Sequence, residues 1–120
     1  MDAEREAPDE AIAAYDRVIA TVPGVERKGA TLPYTSTNGN MFSFLDSGAL
    51  ALRLSRPDRA AFIAEFGTAL HEAHGHVMQE YVTVPAAMLA DTAVVAPWFA
   101  ASWSYVSSLK PKPTTRKRGP

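Results

Sequence analysis

The segment most suggestive of chemistry is the run HEAHGH over residues 71–76, which holds all three histidines of the chain. Imidazoles and carboxylates are good ligands for zinc and nickel. His71 and His74 lie three residues apart, so the run does not fit the zincin motif, whose histidines lie four apart on a helix. Gly75 and the lack of a second ligand cluster favour an exposed polar loop. The alternative is a weak divalent-metal site at His71, His74 and His76.

The rest of the chain carries no recognisable catalytic motif. It has no cysteine, which excludes disulfides, thiolate metal ligands and a cysteine nucleophile. It also lacks a phosphate-binding loop, a dinucleotide fingerprint and the nucleophile elbow of hydrolases. Its acidic residues are scattered singly. We therefore predict a protein that is not an enzyme and that uses no cofactor.

A basic tail at the C-terminus is the second candidate for function. Its basic residues are Lys110, Lys112, Arg116, Lys117 and Arg118. Residues 1–109 hold the other seven basic residues and all thirteen acidic ones, a formal charge of −6. The tail could bind nucleic acid weakly by releasing counterions from phosphates, although it has no aromatic residue for base stacking. A solubilising terminus is the alternative that its composition favours, and its prolines and charges predict disorder over residues 110–120.

Aromatic residues cluster in the last predicted helix. Trp98 and Tyr105 lie seven residues apart and share one face, which periodicity assigns to the core. Trp103 lies to the side of that face, and tryptophan is enriched at protein interfaces. We therefore predict Trp103 as an interface residue of a homodimer that uses this helix or an open sheet edge.

The elements that must position these residues centre on an antiparallel meander over residues 32–55. Asn38-Gly39 is a strong signal for a type I′ hairpin turn, since both residues tolerate positive φ. Residues 46–48 predict a second, three-residue turn with Gly48 in the left-handed region. Pro33 places the first strand at an edge of the sheet. Residues 41–45 have apolar side chains on both faces, with Phe42 and Phe44 predicted to share one, as in a central strand.

Helical patterns flank the meander. The spacing of apolar residues predicts a first helix over residues 8–22. A second helix is capped by Ser55 and ends at Gly67. Residues 77–84 predict another strand, followed by a short helical turn over residues 85–89. The last helix either begins near Pro97 or begins at Asp91 and is kinked at that proline.

The order and spacing of several pieces resemble the N-terminal domain of the TfoX/Sxy family of bacterial proteins. The pieces are ERK at residues 26–28, GNMF at 39–42, LALRL at 50–54, MQEYVTVP at 78–85 and Trp98. The resemblance covers nearly all of residues 8–112. It implies a two-layer α+β fold in which an antiparallel sheet of four or five strands packs against helices, similar to the type III secretion chaperone-like group. It also implies a regulatory role, since the namesake proteins are positive regulators of natural competence that act with a transcription factor.

Together these observations predict a single domain over residues 1–109 followed by the tail. No apolar run approaches the roughly 18 residues of a membrane span, and the N-terminus lacks a signal-peptide core. We expect a cytoplasmic, non-enzymatic protein that acts on a protein partner or on a second copy of itself, in regulation of transcription or competence. The alternative is a small-molecule-binding or metal-binding protein with a pocket between sheet and helices.

Overall fold

The computed structural model describes residues 7–29 and 31–112 and confirms the predicted two-layer α+β fold. The helices in this part of the chain are α1 (Asp9–Ile19), α2 (Arg56–Phe66), α3 (Ala86–Leu89) and α4 (Thr92–Ser107). The strands are β1 (Tyr34–Thr37), β2 (Asn40–Asp46), β3 (Ala49–Arg53), β4 (Leu70–Ala73) and β5 (His76–Val84). The strands form one antiparallel sheet in the order β1-β2-β3-β5-β4, so β1 lies at an edge as predicted.

Local sequence sets the start of α1 and both ends of α2, whereas α1 ends at Ile19, before the predicted residue 22. Asp9 and Glu10 stand in the first turn of α1, where negative charge interacts favourably with the helix dipole. The Ser55 side chain caps α2 by accepting a hydrogen bond from the Asp58 N–H at 3.4 Å. Gly67 ends α2 in the left-handed conformation, with φ 64°. These caps are those that the sequence predicts.

The last helix begins at Thr92, so the earlier of the two predicted starts is the observed one. Pro97 stands inside α4 and removes one hydrogen bond of the helix, because proline has no N–H. The buried face of α4, formed by Val95, Phe99, Ser102 and Val106, compensates by packing onto the sheet. Tertiary packing thus holds a helix that the proline weakens locally.

The first hairpin turn agrees with prediction and the second does not. Asn38 and Gly39 both have positive φ, 56° and 76°, as a type I′ turn requires. In the second turn Asp46 pairs with Ala49, which leaves only two residues in the loop. Positive φ there falls on Ser47, at 58°, and not on Gly48. The expected three-residue loop is wrong because the strands stay paired up to the turn.

The predicted exposed polar loop around the histidines is confirmed only at its tip, where His74-Gly75 is an exposed turn, and is wrong for the buried His71. Residues 70–73 form β4, and His74-Gly75 is a two-residue turn that joins it to β5. Both turn residues have positive φ, 55° and 78°, so this turn resembles the Asn38-Gly39 turn. The histidine segment is therefore a hairpin, and its residues alternate between the two faces of a strand.

A β-bulge in β2 separates two phenylalanines that the sequence predicts on one face. Thr35 pairs with Ser43 whereas Ser36 pairs with Met41, so Phe42 is the extra residue. Phe42 packs against Phe99 of α4, with ring centroids 5.4 Å apart. Phe44 points to the opposite face, because the bulge reverses the alternation of the side chains that follow it.

Apolar residues from all four helices and from β2, β3 and β5 form one core against a single face of the sheet. Leu50, Leu52 and Val82 of the central strands are fully buried there. The hydroxyl group of Tyr15, from α1, forms a 2.5 Å hydrogen bond with the Ser43 hydroxyl, which satisfies two buried polar groups. The helices cover this face, and the opposite face, which we call the open face, is left uncovered by them.

The start of the predicted tail is hydrogen-bonded to the β1–β2 turn. The Asn38 side-chain amide donates to the Ser107 carbonyl oxygen at 2.6 Å. The Asn40 side-chain amide donates to the Lys110 carbonyl oxygen at 3.3 Å. The Lys112 N–H in turn donates to the Asn38 carbonyl oxygen at 2.7 Å. The turn therefore fixes where the chain leaves α4. Residues 113–120 of the predicted tail, with Arg116, Lys117 and Arg118, lie outside the described residues.

Candidate functional site

The open face of the sheet carries aromatic and other apolar side chains among its polar ones, where solvent-facing strands are usually polar. Phe44 packs edge-on against the His71 ring and tilted against the Tyr81 ring, with centroids 5.6 Å apart in each case. Ala51 of β3 lies at the centre of this face and is fully buried, although it lies outside the core beneath the helices. A second, smaller group of packed side chains therefore covers the open face.

His71 connects strands that are not neighbours in the sheet. Its Nε2 lies 2.9 Å from an Asp46 carboxylate oxygen, and its Nδ1 lies 2.9 Å from the Thr83 hydroxyl. β4 and β2 are three strand spacings apart, which is about 14 Å in a flat sheet. A histidine and an aspartate side chain cannot span that distance, so the sheet must curl toward its open face. We call these three residues the His71 brace.

The curl has a visible cause in β5. Leu70 pairs with Val82, but the next residue, His71, pairs with Met78. Residues 79–81 of β5 thus have no counterpart in β4, and such an irregularity bends a strand. The bend carries the tip of the β4–β5 hairpin over the open face, where the His71 brace holds it.

The brace has the hydrogen-bonding order of a hydrolase triad, but its hydroxyl group does not line the adjoining cleft. When Nε2–H donates to Asp46, Nδ1 accepts from the Thr83 hydroxyl, so carboxylate, imidazole and hydroxyl stand in line. However, His71 is only 5% exposed, and Thr83 is not among the residues that line the adjoining cleft. The three groups satisfy one another's hydrogen-bonding capacity, as the members of a structural network do.

A cleft of about 550 Å³ lies between the hairpin tip and the strands opposite it. Most of its lining is aliphatic, aromatic or thioether, with one carboxylate and two imidazoles. The lining residues are Leu32, Tyr34, Met41, Phe44, Leu45, Asp46, Ala73, His74, His76 and Met78. None of them belongs to a helix, so this cleft lies on the other side of the sheet from the pocket that the sequence suggested between sheet and helices.

The electrostatics of the cleft depend on one group. Asp46 is the acidic residue among the described residues that line the cleft, and the lining includes no lysine or arginine. Its carboxyl is 23% exposed, so solvent and small molecules can reach it. Tyr81 borders the same face, and burial raises the pKa of its phenol to about 12. This phenol stays neutral and donates a 2.8 Å hydrogen bond to the Met41 carbonyl oxygen.

The buried tyrosines give a testable pH dependence. Burial raises the pKa of Tyr81 to about 12 and also raises that of Tyr15 above the ordinary value of about 10. A raised tyrosine pKa stabilises the folded protein fully below about pH 10, and this stabilisation is lost as the pH rises toward 12. Because Tyr81 is partly exposed, we expect it to account for only about 1 kcal/mol of that loss.

Urea unfolding of the wild type and Tyr81→Phe at about pH 9 and about pH 11 measures this effect. The wild type should lose about 1 kcal/mol more of its unfolding free energy between the two conditions than the variant does. An equal loss in both proteins would show that Tyr81 titrates alike in the folded and unfolded chains.

The structure separates the three histidines predicted as weak metal ligands. His71 has both ring nitrogens within hydrogen-bond distance of other side chains, so it could bind a metal only by breaking the brace. His74 and His76 line the cleft from the hairpin tip. Within residues 7–29 and 31–112, no group of three or more histidine, aspartate or glutamate side chains is arranged to hold a metal ion.

The other predicted site residues lie away from the cleft. Trp103 is 38% exposed on α4, where a partner could reach it, and the predicted homodimer interface there stays a prediction. Lys110 and Lys112 are exposed beside the β1–β2 turn, and nucleic-acid binding by the tail also stays a prediction.

Sequence reasoning missed the cleft and its residues. The available signal was the apolar character of both faces of β2, since Met41 and Phe44 are apolar at positions that face away from the helices. That pattern also fits a central strand covered on both sides, so it does not identify a binding site by itself. Asp46 gave no signal, because in the sequence it looks like an ordinary turn residue.

Comparison with protein-family models, with curated proteins and with solved structures found no match for this chain. Over the described residues, no helix combines the length and the apolar character needed to cross a membrane.

Proposed function

We propose that the protein is a non-enzymatic binding protein whose cleft on the open face holds a small, mainly apolar molecule. The observation that carries this proposal is the apolar cleft under the β4–β5 hairpin, with one carboxylate and two imidazoles in its lining. Small-molecule sites typically occupy about 300–1,000 Å³ and combine an apolar wall with few polar groups. The cleft fits that description in both size and lining.

The exposed apolar residue beside the cleft supports the same conclusion. Leu32 is 48% exposed and lines the cleft ahead of β1. Exposing a large apolar side chain at the mouth of an apolar cleft has a cost that a bound molecule would remove by covering it. The hairpin wall is held by the His71 brace, so the cleft exists before any ligand arrives, which limits the entropy cost of binding.

The resemblance to the TfoX/Sxy N-terminal domain supports a regulatory role over a catalytic one. We propose that the protein acts in regulation through contacts with a protein partner or a second copy, and that the bound molecule modulates those contacts.

Filling the cleft should abolish binding. Ala73 lines the cleft, and Ala73→Trp would place an indole in the space that a ligand would use. We expect the affinity for the neutral fluorescent probe N-phenyl-1-naphthylamine to fall at least about tenfold, because the burial of most of its apolar surface is lost. Fluorescence titration of the full chain measures the affinity.

Ala64→Trp is the matched control, since Ala64 is exposed on α2 and does not line the cleft. This variant should bind the probe like the wild type, and circular dichroism should show that both variants are folded. A wild-type protein that fails to bind the probe, or an Ala73→Trp variant that binds it equally well, would refute a ligand site in this cleft.

A further inference from the structure

We infer that the molecule bound in the cleft is a hydrophobic amine, meaning a protonated amino group attached to an apolar body. This inference rests on the proposed function and adds the charge of the ligand to it. Three independent features of the cleft favour a cation over an anion or a neutral molecule: its carboxylate, its aromatic and thioether walls, and the charge of the surrounding domain.

The carboxylate is placed to receive an ammonium group. Asp46 Oδ2 accepts the hydrogen bond from His71, and a carboxylate has a second oxygen with its own acceptor capacity. The Asp46 side chain lines the cleft and is 23% exposed, so this group is reachable without being fully solvated. In such partly buried surroundings, hydrogen bonds between charged groups are stronger than those between neutral groups. An anionic ligand would instead be repelled by Asp46.

The walls favour the same sign of charge. Tyr34 and Phe44 line the cleft, and the faces of aromatic rings attract cations. Met41 and Met78 add polarisable thioether sulfurs, which adapt to ligands of different shape. The apolar body of an amphipathic amine would occupy this part of the cleft while its ammonium group meets Asp46.

The surroundings contribute a longer-range attraction. Within residues 7–29 and 31–112, ten acidic side chains face eight basic ones, a formal charge of −2. A negative domain raises the local concentration of cations and the rate at which they associate. His76, at the hairpin tip, also lines the cleft and adds a polar group to a mainly apolar wall.

A set of three ligands with the same apolar body tests the inference. The ligands are 1-naphthylmethylamine, 1-naphthalenemethanol and 1-naphthoate, and their binding to the full chain is measured by calorimetry at about pH 8, where the amine is protonated. We expect the amine to bind about tenfold more tightly than the alcohol, because it adds a charge-assisted hydrogen bond. The carboxylate should bind more weakly than the alcohol.

Two variants assign the preference to Asp46. Asp46→Asn keeps an oxygen that can accept from His71 but loses the charge, so it should lose the tenfold preference for the amine over the alcohol. Glu72→Gln removes a charge of the same sign from an exposed residue of β4 that does not line the cleft, and it should keep the preference. Loss of the preference in both variants would mean that overall charge, and not Asp46, selects the ligand.

The outcomes separate this inference from the proposed function. If none of the three ligands binds, the proposed function fails. If all bind with equal affinity, or the carboxylate binds best, the cleft is a ligand site but the inference is wrong. If Asp46→Asn does not fold, wild-type titrations at low and high salt replace it: added salt should reduce the preference for the amine and leave the affinity for the alcohol unchanged.

Discussion

Phe42→Ala should lower the free energy of unfolding by about 3–5 kcal/mol, as truncation of a fully buried phenylalanine does. Phe42 has no exposed surface and packs against Phe99 of α4 in the core beneath the helices. The loss combines the transfer of the ring out of the core with the cavity left between β2 and α4. In a domain of this size, such a loss removes a large share of the total stability.

Phe44→Ala is the matched control, because Phe44 is only two residues away and lies on the other face of the same strand. Its ring is half-buried and contacts His71 and Tyr81, so we expect a smaller loss of about 1–2 kcal/mol. It should also weaken probe binding in the cleft, which Phe42→Ala should not do while the protein stays folded. Urea unfolding with probe titration measures both quantities.

The comparison of the two variants tests the bulge in β2 directly. A strand with regular alternation would place both rings on one face, and the two substitutions would then have similar effects on stability and on binding. Similar effects would therefore contradict the bulge at Phe42 and the division of β2 between core and cleft.

His71→Ala should cost about 2–3 kcal/mol of stability and should lower the affinity of the cleft more than about tenfold. The substitution removes a hydrogen bond to a charged group and one to a hydroxyl, and it removes the ring that packs on Phe44. It also releases the tip of the β4–β5 hairpin from β2. A hairpin tip without tertiary contacts opens easily, so the cleft would lose one wall.

Hydrogen exchange of the amide groups in residues 70–78, together with probe titration, measures that release. Thr83→Val is the control, since it removes the hydroxyl group while the bond between His71 and Asp46 remains, and it should cost about 1 kcal/mol. We expect faster exchange in this segment for His71→Ala and near-normal exchange for Thr83→Val. If His71→Ala exchanges and binds like the wild type, the brace does not hold the cleft open.

These two predictions share a physical basis. One face of the sheet carries the stability of the domain, because the helices bury it, and the other face is free to bind. The bulge at Phe42 distributes the side chains of β2 between the two faces, and the His71 brace turns the second face from an open surface into a cleft. A function in the cleft can therefore change without loss of the main core.

Local chemistry determined much of the architecture from the sequence alone. The backbone preferences of single residues and their near neighbours are enough to predict three features. These are the Asn38-Gly39 turn, the Ser55 cap and the end of α2 at Gly67. The alternation of Leu50, Leu52 and Leu54 follows from the period of a strand with one buried face. These features do not depend on distant parts of the chain. For that reason the strands of the meander and the helix that follows it were predictable.

Only the tertiary structure decided where the candidate site lies. The bulge depends on the pairing of β1 with β2, and the burial of His71 depends on groups 25 and 12 residues away, Asp46 and Thr83. No local preference of a histidine or an aspartate encodes such contacts, since they arise from the curl of the whole sheet. The histidine run that first suggested metal chemistry contains, in the folded protein, a structural brace at His71 and two cleft residues at the hairpin tip.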